Sequence, residues 1–373
     1  MLDFAERDRR YNLIRGKMKA QNIDALIVIS SSQITEKGFV KYLSNYRHIL
    51  YNLVVIFPLS GPSVLLAPSP LQRYWADIIS WIDNVEEQIP SLSESIIKNI
   101  KKIGLENGTI GLINTKIMPA EVFVAIKEKM LKATLVDATY IIEEVRMMKS
   151  EAEINLVKKA AKLADKSFEV LAKSVKPGLT EREIIGAIDD VLISNGSEDI
   201  FHLFTSKPGA IFPYAASERK IEKGDVVILN TELSGPGGYW VQMVRTSFVG
   251  KPKLEIENMY NILIDISKEI KNKLIPGKKA VDIAKWARDQ IINAGYETGV
   301  NFGHCLGLDV VERPLVRLNE ETELQPGMII TVHPQLVNKK KDATVWIGDT
   351  YLVTERAAKV LTKVDPNTIK EIG

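Results

Sequence analysis

The sequence predicts a mixed α/β (α+β) protein of two domains. Its 373 residues exceed one ordinary domain and are comfortable for two. Short apolar runs bounded by turn residues alternate with stretches of helical periodicity, which indicates sheets covered by helices. Near residue 141 the pattern changes to long helices followed by pairs of strands. We therefore expect an N-terminal domain over residues 1–140 and a C-terminal domain over residues 141–373.

The composition is that of a soluble globular protein, with 45% hydrophobic and 26% charged residues. The net charge of +2 gives no broad attraction for nucleic acid or anionic lipid. One cysteine, Cys305, excludes a disulfide within the chain and suits a reducing cytoplasm. Apolar runs are too short to cross a bilayer, so we expect a cytoplasmic protein without nucleic-acid or membrane partners. Abundant Lys, Glu and Ile with little Gln favour a thermophilic source.

In the N-terminal domain, two apolar runs flank Ser60-Gly61-Pro62, which predicts a β-hairpin. The periodicity of the other segments predicts, in order, a helix over 3–21, a strand over 25–29, the hairpin strands 53–57 and 63–67, a helix over 91–103, a strand over 110–114, a helix over 119–131 and a strand over 134–138.

In the C-terminal domain, residues 151–175 place apolar side chains such as Val157, Ala164 and Phe168 on one face of a helix. Thr180 and Glu183 form a capping box for the next helix. The elements predicted after it are a helix to 195, strands over 226–233 and 239–249, helices over 255–274 and 281–294, and closing strands over 328–337 and 344–354.

Short motifs along the whole chain resemble those of one family. They are RMMKSEAE at 146–153, EKGDVV at 222–227, Arg245-Thr246, GHCLGLD at 303–309, LQPGM at 324–328 and Asp349-Thr350. In this order they resemble the creatinase/aminopeptidase P/prolidase family of pita-bread metallopeptidases. The resemblance implies a creatinase-like N-terminal mixed-sheet domain, a C-terminal pita-bread domain, Xaa-Pro peptidase activity and a homodimer.

The resemblance also implies five metal-ligand positions, because the family holds a dinuclear Mn, Co or Zn centre with two Asp, one His and two Glu. The two Asp positions fall on Asn230 and Gln242. The His is kept as His304, and the two Glu positions fall on His333 and Gly348. Each of the four changes removes a carboxylate.

Two adjacent dications repel strongly and need anionic oxygen ligands. The substituted set supplies none, and Glu232, which would face the same side of a strand as Asn230, supplies one carboxylate. We therefore expect no dinuclear cofactor. An alternative is a single zinc or nickel ion at His304 and His333 with Gln242 as a poor third ligand. The competing interpretation is that the two histidines bond water and neighbours.

Other residues are candidates for a ligand pocket. Trp240, two residues before Gln242, either fills the former metal cavity or stacks on a ligand. His202 either lines the pocket or lies on a half-buried strand. Cys305 and its neighbour His304 point to opposite faces of a strand, so Cys305 is expected to be a small buried hydrophobic residue. His48 is expected at the surface.

These residues favour a homologue of Xaa-Pro dipeptidase and aminopeptidase P that lacks the dinuclear centre and binds a peptide or small molecule. No catalytic residue is assigned. Two alternatives stay open. One is an Xaa-Pro metallopeptidase with atypical ligands. The other is a metal-independent, creatinase-like C–N hydrolase, which Pro213 disfavours because the resemblance implies a histidine at that position.

Overall fold

The helices and strands fall into two compact units. The computed structural model describes residues 2–373, apart from the side chain of Ile369. The first unit ends at Arg146 and the second spans Met147–Gly373. The elements of the first unit are α1 (Phe4–Ala20), β1 (Ala25–Ser30), α2 (Gly38–Ser44), β2 (Leu53–Pro58), β3 (Val64–Ala67), α3 (Pro70–Ile79), β4 (Asn84–Glu87), α4 (Leu92–Lys102), β5 (Thr109–Ile113), α5 (Ala120–Lys129), β6 (Thr134–Asp137) and α6 (Thr139–Met147), with a 3-10 turn at Thr115–Ile117.

The first unit is built on one mixed six-stranded sheet in the order β4-β3-β2-β1-β5-β6. β1 pairs antiparallel with β2 and parallel with β5. The predicted hairpin is confirmed, because β2 and β3 pair antiparallel across Gly61, whose φ of 89° suits glycine. The helices α4 and α5 cover one face, where Ile96 and Ile126 pack with strand residues such as Ile27.

The second unit contains two helical pairs and several sheets. Its elements are α7 (Glu151–Ser174), α8 (Glu181–Ser194), β7 (Asp199–Thr205), β8 (Val226–Ser234), β9 (Trp240–Val249), α9 (Leu254–Lys273), α10 (Ala280–Asn293), β10 (Asn301–Cys305), β11 (Glu312–Arg317), β12 (Ile329–Val332), β13 (Gln335–Val337), β14 (Thr344–Trp346), β15 (Asp349–Val353), β16 (Ala358–Val360), a 3-10 helix at Pro366–Ile369 and β17 (Glu371–Ile372).

Two of its sheets are joined by backbone hydrogen bonds. One sheet has the order β17-β9-β8-β7, the other β11-β10-β12-β15-β16, and β13 pairs with β14. Val244 of β9 and Gly348 exchange two backbone hydrogen bonds of 3.0 Å each, which join the sheets. The helix α7 begins at a capping box formed by Ser150 and Glu153, and the predicted box at Thr180 and Glu183 is confirmed. Among residues 2–373, no helix combines the length and apolar character needed to span a bilayer.

The two closing strands predicted as continuous are each broken in two. The first stops at Val332 and resumes at Gln335, because Pro334 has no N–H for a ladder and ends the pairing. The second stops at Trp346 and resumes at Asp349, because Gly348 pairs with Val244 rather than with its own neighbours. These two breaks place His333 directly beside Gly348.

Candidate functional site

The candidate site begins on one face of the paired strands β8 and β9. In their antiparallel register Glu232 lies opposite Gln242, and Asn230 lies opposite Val244. Directly opposed residues share a face, and residues two apart along a strand share it too. Asn230, Glu232, Trp240 and Gln242 therefore lie on one face, as the sequence predicts for Asn230 and Glu232.

Asn230, Glu232 and Gln242 form a closed hydrogen-bonded ring, which we call the amide–carboxylate ring. The Asn230 Nδ2 donates to Glu232 Oε1 at 2.8 Å. The Gln242 Nε2 donates to Asn230 Oδ1 at 2.9 Å and to Glu232 Oε1 at 3.2 Å. The three residues are only 1%, 7% and 2% exposed. The amide N–H groups are thus turned toward the carboxylate, while the Gln242 Oε1 has no partner among the described residues.

One member of the ring, the carboxyl group of Glu232, has a raised pKa. Burial raises the pKa of Glu232 from 4.5 to about 7, against a smaller lowering effect of the Asn230 hydrogen bond. No ion pair of Glu232 occurs within residues 2–373, so no cation offsets the loss of hydration. The ring therefore contains a carboxyl group that is readily protonated near neutral pH.

His304 of β10 and His333, just after β12, lie edge to face. Their ring centroids are 5.7 Å apart with an interplanar angle of 64°. The His304 Nδ1 is 3.1 Å from the carbonyl oxygen of Cys305, which only accepts, so this nitrogen carries the proton. Burial lowers the pKa of His304 to about 4 and that of His333 to about 3, where the charge of His304 adds to the effect. Both rings are neutral near pH 7.

Gly348 leaves no room for a side chain. A Cβ atom placed there would lie 2.4 Å from the Cβ of His333 and 3.1 Å from the Cγ2 of Val244. The Gly348 backbone is also held on both sides, by Val244 and by a 2.7 Å hydrogen bond from Arg245 Nη1 to the Gly348 oxygen. With His333 in place, position 348 accommodates hydrogen alone.

Two indoles pack around the candidate residues. The Trp346 ring lies 5.5 Å from that of His333 at 80°, and its Nε1 donates to the His333 carbonyl at 2.6 Å. Trp240 is fully buried, and its backbone N–H donates to the Gly307 oxygen at 2.8 Å. Trp346 therefore covers His333, and Trp240 packs into the protein interior.

The structure does not bring His202 together with the other candidates. On β7 it lies opposite Thr231, whereas Asn230 lies opposite Leu203, so His202 is on the other face of the sheet. Its Nε2 is 3.0 Å from Asp189 Oδ1 of α8. This contact makes His202 part of the packing between β7 and α8.

A buried ion pair beneath the site was not assigned from the sequence. The Arg245 Nη2 donates to Asp349 Oδ1 at 2.6 Å and to the Val364 oxygen at 2.6 Å. Its Nη1 donates to the oxygens of Val244 at 2.8 Å and Gly348 at 2.7 Å. The motifs Arg245-Thr246 and Asp349-Thr350 were the available signal, since a buried Arg needs such partners.

Two single-residue expectations have opposite outcomes. Cys305 is fully buried in the core, as expected, and burial raises the pKa of its thiol to about 12. The expected surface position of His48 is wrong, because His48 is fully buried. Burial lowers the pKa of His48 to about 4. His48 lies between Arg47 and the exposed Ile49, and this local sequence carries no clear signal of its burial.

The candidate donors are two amides, one carboxylate and two imidazoles. Within residues 2–373 no three or more His, Cys, Asp or Glu side chains are grouped so that they could hold a metal ion. The arrangement offers hydrogen-bond donors and acceptors in a largely uncharged setting.

Comparison with known proteins identifies the family. The profile "Metallopeptidase family M24" matches residues 155–355, and "Creatinase/Prolidase N-terminal domain" matches residues 10–148. The Xaa-Pro dipeptidase of Pyrococcus horikoshii is 28% identical over 324 residues, which cover 84% of this chain and 89% of that protein. The Xaa-Pro dipeptidase of Pyrococcus furiosus is 27% identical over 313 residues, covering 83% and 89%.

A solved structure agrees with this family. The crystal structure of the prolidase from Pyrococcus horikoshii OT3 superposes with a TM-score of 0.82 and 26% identity, over 96% of this chain and 99% of that one. The predicted fold, a creatinase-like mixed-sheet domain followed by a pita-bread domain, is confirmed. The chain belongs to metallopeptidase family M24, as a homologue of the Xaa-Pro dipeptidases and aminopeptidase P.

Proposed function

We propose that this chain binds a peptide or a small molecule and does not hydrolyse Xaa-Pro peptides with a dinuclear metal centre. The observation that carries the proposal is the amide–carboxylate ring. Its three side chains hydrogen-bond one another: the Asn230 amide nitrogen donates to the carboxylate, and the Gln242 amide nitrogen donates to the carboxylate and to the Asn230 oxygen. A metal ion would need oxygen donors at these positions. Of the two ring amides, the Asn230 Oδ1 already accepts from Gln242, and the Gln242 Oε1 has no partner among the described residues but is neutral.

The charge of the donor set supports the same conclusion. Two dications a few ångströms apart require several anionic ligands. Glu232 is one carboxylate, and its pKa of about 7 reflects burial without a compensating cation. The residues present do not fit a dinuclear centre, so we derive no reaction step through metal ions.

Position 348 adds a steric reason. The resemblance implies a glutamate there, but a Cβ atom would overlap the Cβ of His333 at 2.4 Å. His333 itself stands where the resemblance implies the other glutamate. A glutamate at position 348 would meet this contact with any residue at 333 that carries a Cβ atom.

The single-ion alternative has two imidazole donors, with Gln242 as a poor third ligand. His304 keeps its Nε2 lone pair because Nδ1 bonds the Cys305 oxygen, and His333 is neutral as well. Structural zinc sites use four protein ligands and catalytic sites three. With two imidazoles, neutral amides and a single carboxyl group whose pKa burial raises to about 7, we propose that no resident zinc or nickel ion is held.

The test compares this chain with the Xaa-Pro dipeptidase of Pyrococcus horikoshii, purified in parallel as a positive control. Elemental analysis after equilibration with Mn, Co, Zn and Ni measures bound metal, and dipeptide cleavage measures turnover. We expect neither for this chain, together with a raised Tm when an Xaa-Pro dipeptide binds without being cleaved. Two metals per chain accompanied by turnover would overturn the proposal.

We also propose a homodimer, as the resemblance implies. The helix α3 exposes Leu71, Tyr74, Trp75 and Ile78 by 55%, 61%, 47% and 58%, at the spacing of one helical stripe. A second copy of the chain presents the same stripe, which suits a two-fold interface. Light scattering is expected to show a dimer, and Trp75→Glu a monomer with unchanged circular dichroism. A monomeric native protein would contradict this.

The single buried cysteine suits a cytoplasmic location, which we propose as well.

A further inference from the structure

A cavity in the Met147–Gly373 unit is lined by Arg245 and by residues of α9. Its volume is about 470 Å³, within the range of small-molecule sites. The walls come from α9, β15, β16 and the segment 361–367. Ile264, Val360, Val364 and Pro366 provide an apolar surface.

Cations exceed anions around this cavity. Lys268, Lys271 and Lys363 line it, and within the described chain Lys271 and Lys363 form no ion pair. Lys268 makes only an exposed contact of 3.4 Å with Asp265, a type of pair that contributes little.

The two acids that line the cavity are already engaged. Asp349 bonds Arg245 and also accepts from the Thr362 hydroxyl at 2.6 Å. Asp365 accepts from the backbone and side chain of Asn367 at 2.9 and 3.0 Å, at the start of the 3-10 helix. Asp365 keeps its negative charge because its hydrogen-bond donors are neutral, so three lysines line the cavity with one carboxylate that no cation pairs among the described residues.

A polar atom in the same wall also lacks a partner. The Ser267 Oγ is buried and makes no hydrogen bond among the described residues. A hydroxyl next to Lys268 and one helical turn before Lys271 can donate to an anionic oxygen. Apolar walls, excess cations and this hydroxyl together describe one class of ligand.

We propose that this cavity binds a small organic anion, a carboxylate or phosphate carried on an apolar body. The apolar body packs on Ile264, Val360 and Pro366, and the anionic group lies among Lys271, Lys363 and Ser267. The site uses none of the residues of the amide–carboxylate ring. A test of anion binding at this cavity can therefore fail without contradicting the proposed function, and the reverse is also true.

The test uses three probes of similar size: phenyl phosphate, 3-phenylpropionate and 2-phenylethylammonium. Isothermal titration calorimetry of the full chain at low salt is expected to show binding of at least one anion and none of the cation. Which anion binds distinguishes a phosphate from a carboxylate ligand. Lys271→Gln/Lys363→Gln is expected to weaken anion binding about tenfold, because two exposed charge contacts are lost.

A matched double variant controls for net charge. Lys173→Gln/Lys340→Gln removes two exposed lysines away from the cavity, one of them in the last turn of α7 as Lys271 is in α9. It is expected to bind the anion as the native chain does. Val360→Trp, which fills the cavity, is expected to abolish binding. Absence of anion binding, equal binding of the cation, or equal losses in both double variants would overturn the proposal.

Discussion

The Cβ of His333 occupies the space that any side chain at Gly348 would need, at 2.4 Å from the ideal Cβ position. The contact involves the first side-chain atom of both residues, so a change of rotamer does not relieve it. Position 348 is therefore coupled to the presence of a Cβ atom at position 333, through a steric contact next to the backbone link with Val244.

Gly348→Ala is expected to destabilise the protein by roughly 1–3 kcal/mol, because a well-packed site receives an extra carbon. Adding His333→Gly removes the overlapping Cβ, so the double variant should be more stable than the sum of single effects implies, by about 1 kcal/mol or more. Urea unfolding measures all three variants. Gly186→Ala is the control, because its Cβ would meet nothing within 4 Å. Equal effects at positions 348 and 186 would contradict the coupling.

Glu232→Gln is expected to become increasingly stable relative to the native chain as pH rises. The pKa of Glu232 is raised from 4.5 to about 7, so the folded state holds more protons than the unfolded state between these values. Native stability contributed by this group therefore falls as pH rises through that window, by roughly 3 kcal/mol in total. The difference in the free energy of unfolding between Glu232→Gln and the native chain, measured in urea at each pH, isolates the contribution of this carboxyl group. Parallel pH dependences would show that Glu232 has an ordinary pKa.

Asn230→Asp is expected to destabilise the protein by roughly 3 kcal/mol at about pH 8, because a second buried carboxylate would lie against Glu232 without a cation. The loss should be smaller at about pH 5, where one of the two acids is protonated. Calorimetry gives the Tm at both pH values. The control is Asn155→Asp, exposed beside Lys158 and expected to be neutral. Recovery of the lost stability by Mn would instead indicate a metal site.

His304 and His333 are expected to stay neutral when the pH is lowered to about 5, because burial holds their pKa values near 4 and 3. In the unfolded chain both would protonate below about 6.5, so their contribution to stability is lost as pH falls from 6.5 toward these values. Nitrogen-15 NMR of the four histidines, assigned with His→Gln variants, measures the protonation directly. Titration of either residue near 6.5 would contradict the buried arrangement.

Local patterns in the sequence predict most of the helices and strands. The capping box at Thr180 and Glu183 and the hairpin at Gly61 depend on neighbouring residues, and both are confirmed. The breaks at Pro334 and Gly348 are different. The proline signal was present, but the pairing of Gly348 with Val244 arises between distant segments and has no local trace.

The candidate site divides in the same way. Strand alternation correctly places Asn230 and Glu232 on one face, because it depends on one strand alone. Predicting that His202 lies on the opposite face requires the register between β7 and β8. Predicting that Gln242 joins the amide–carboxylate ring requires the register between β8 and β9. The steric contact of His333 with Gly348 requires two turns to meet in space. No residue pattern within either turn encodes that distance.

The exchange of backbone hydrogen bonds between Val244 and Gly348 fixes the main chain beside the candidate site. Main chain held from two sheets does not rearrange when a side chain is replaced. Substitutions in this protein can therefore change the side chains that line the site while the backbone geometry stays the same. We expect related sequences to differ in the polarity and charge of the ligands they bind more than in ligand shape.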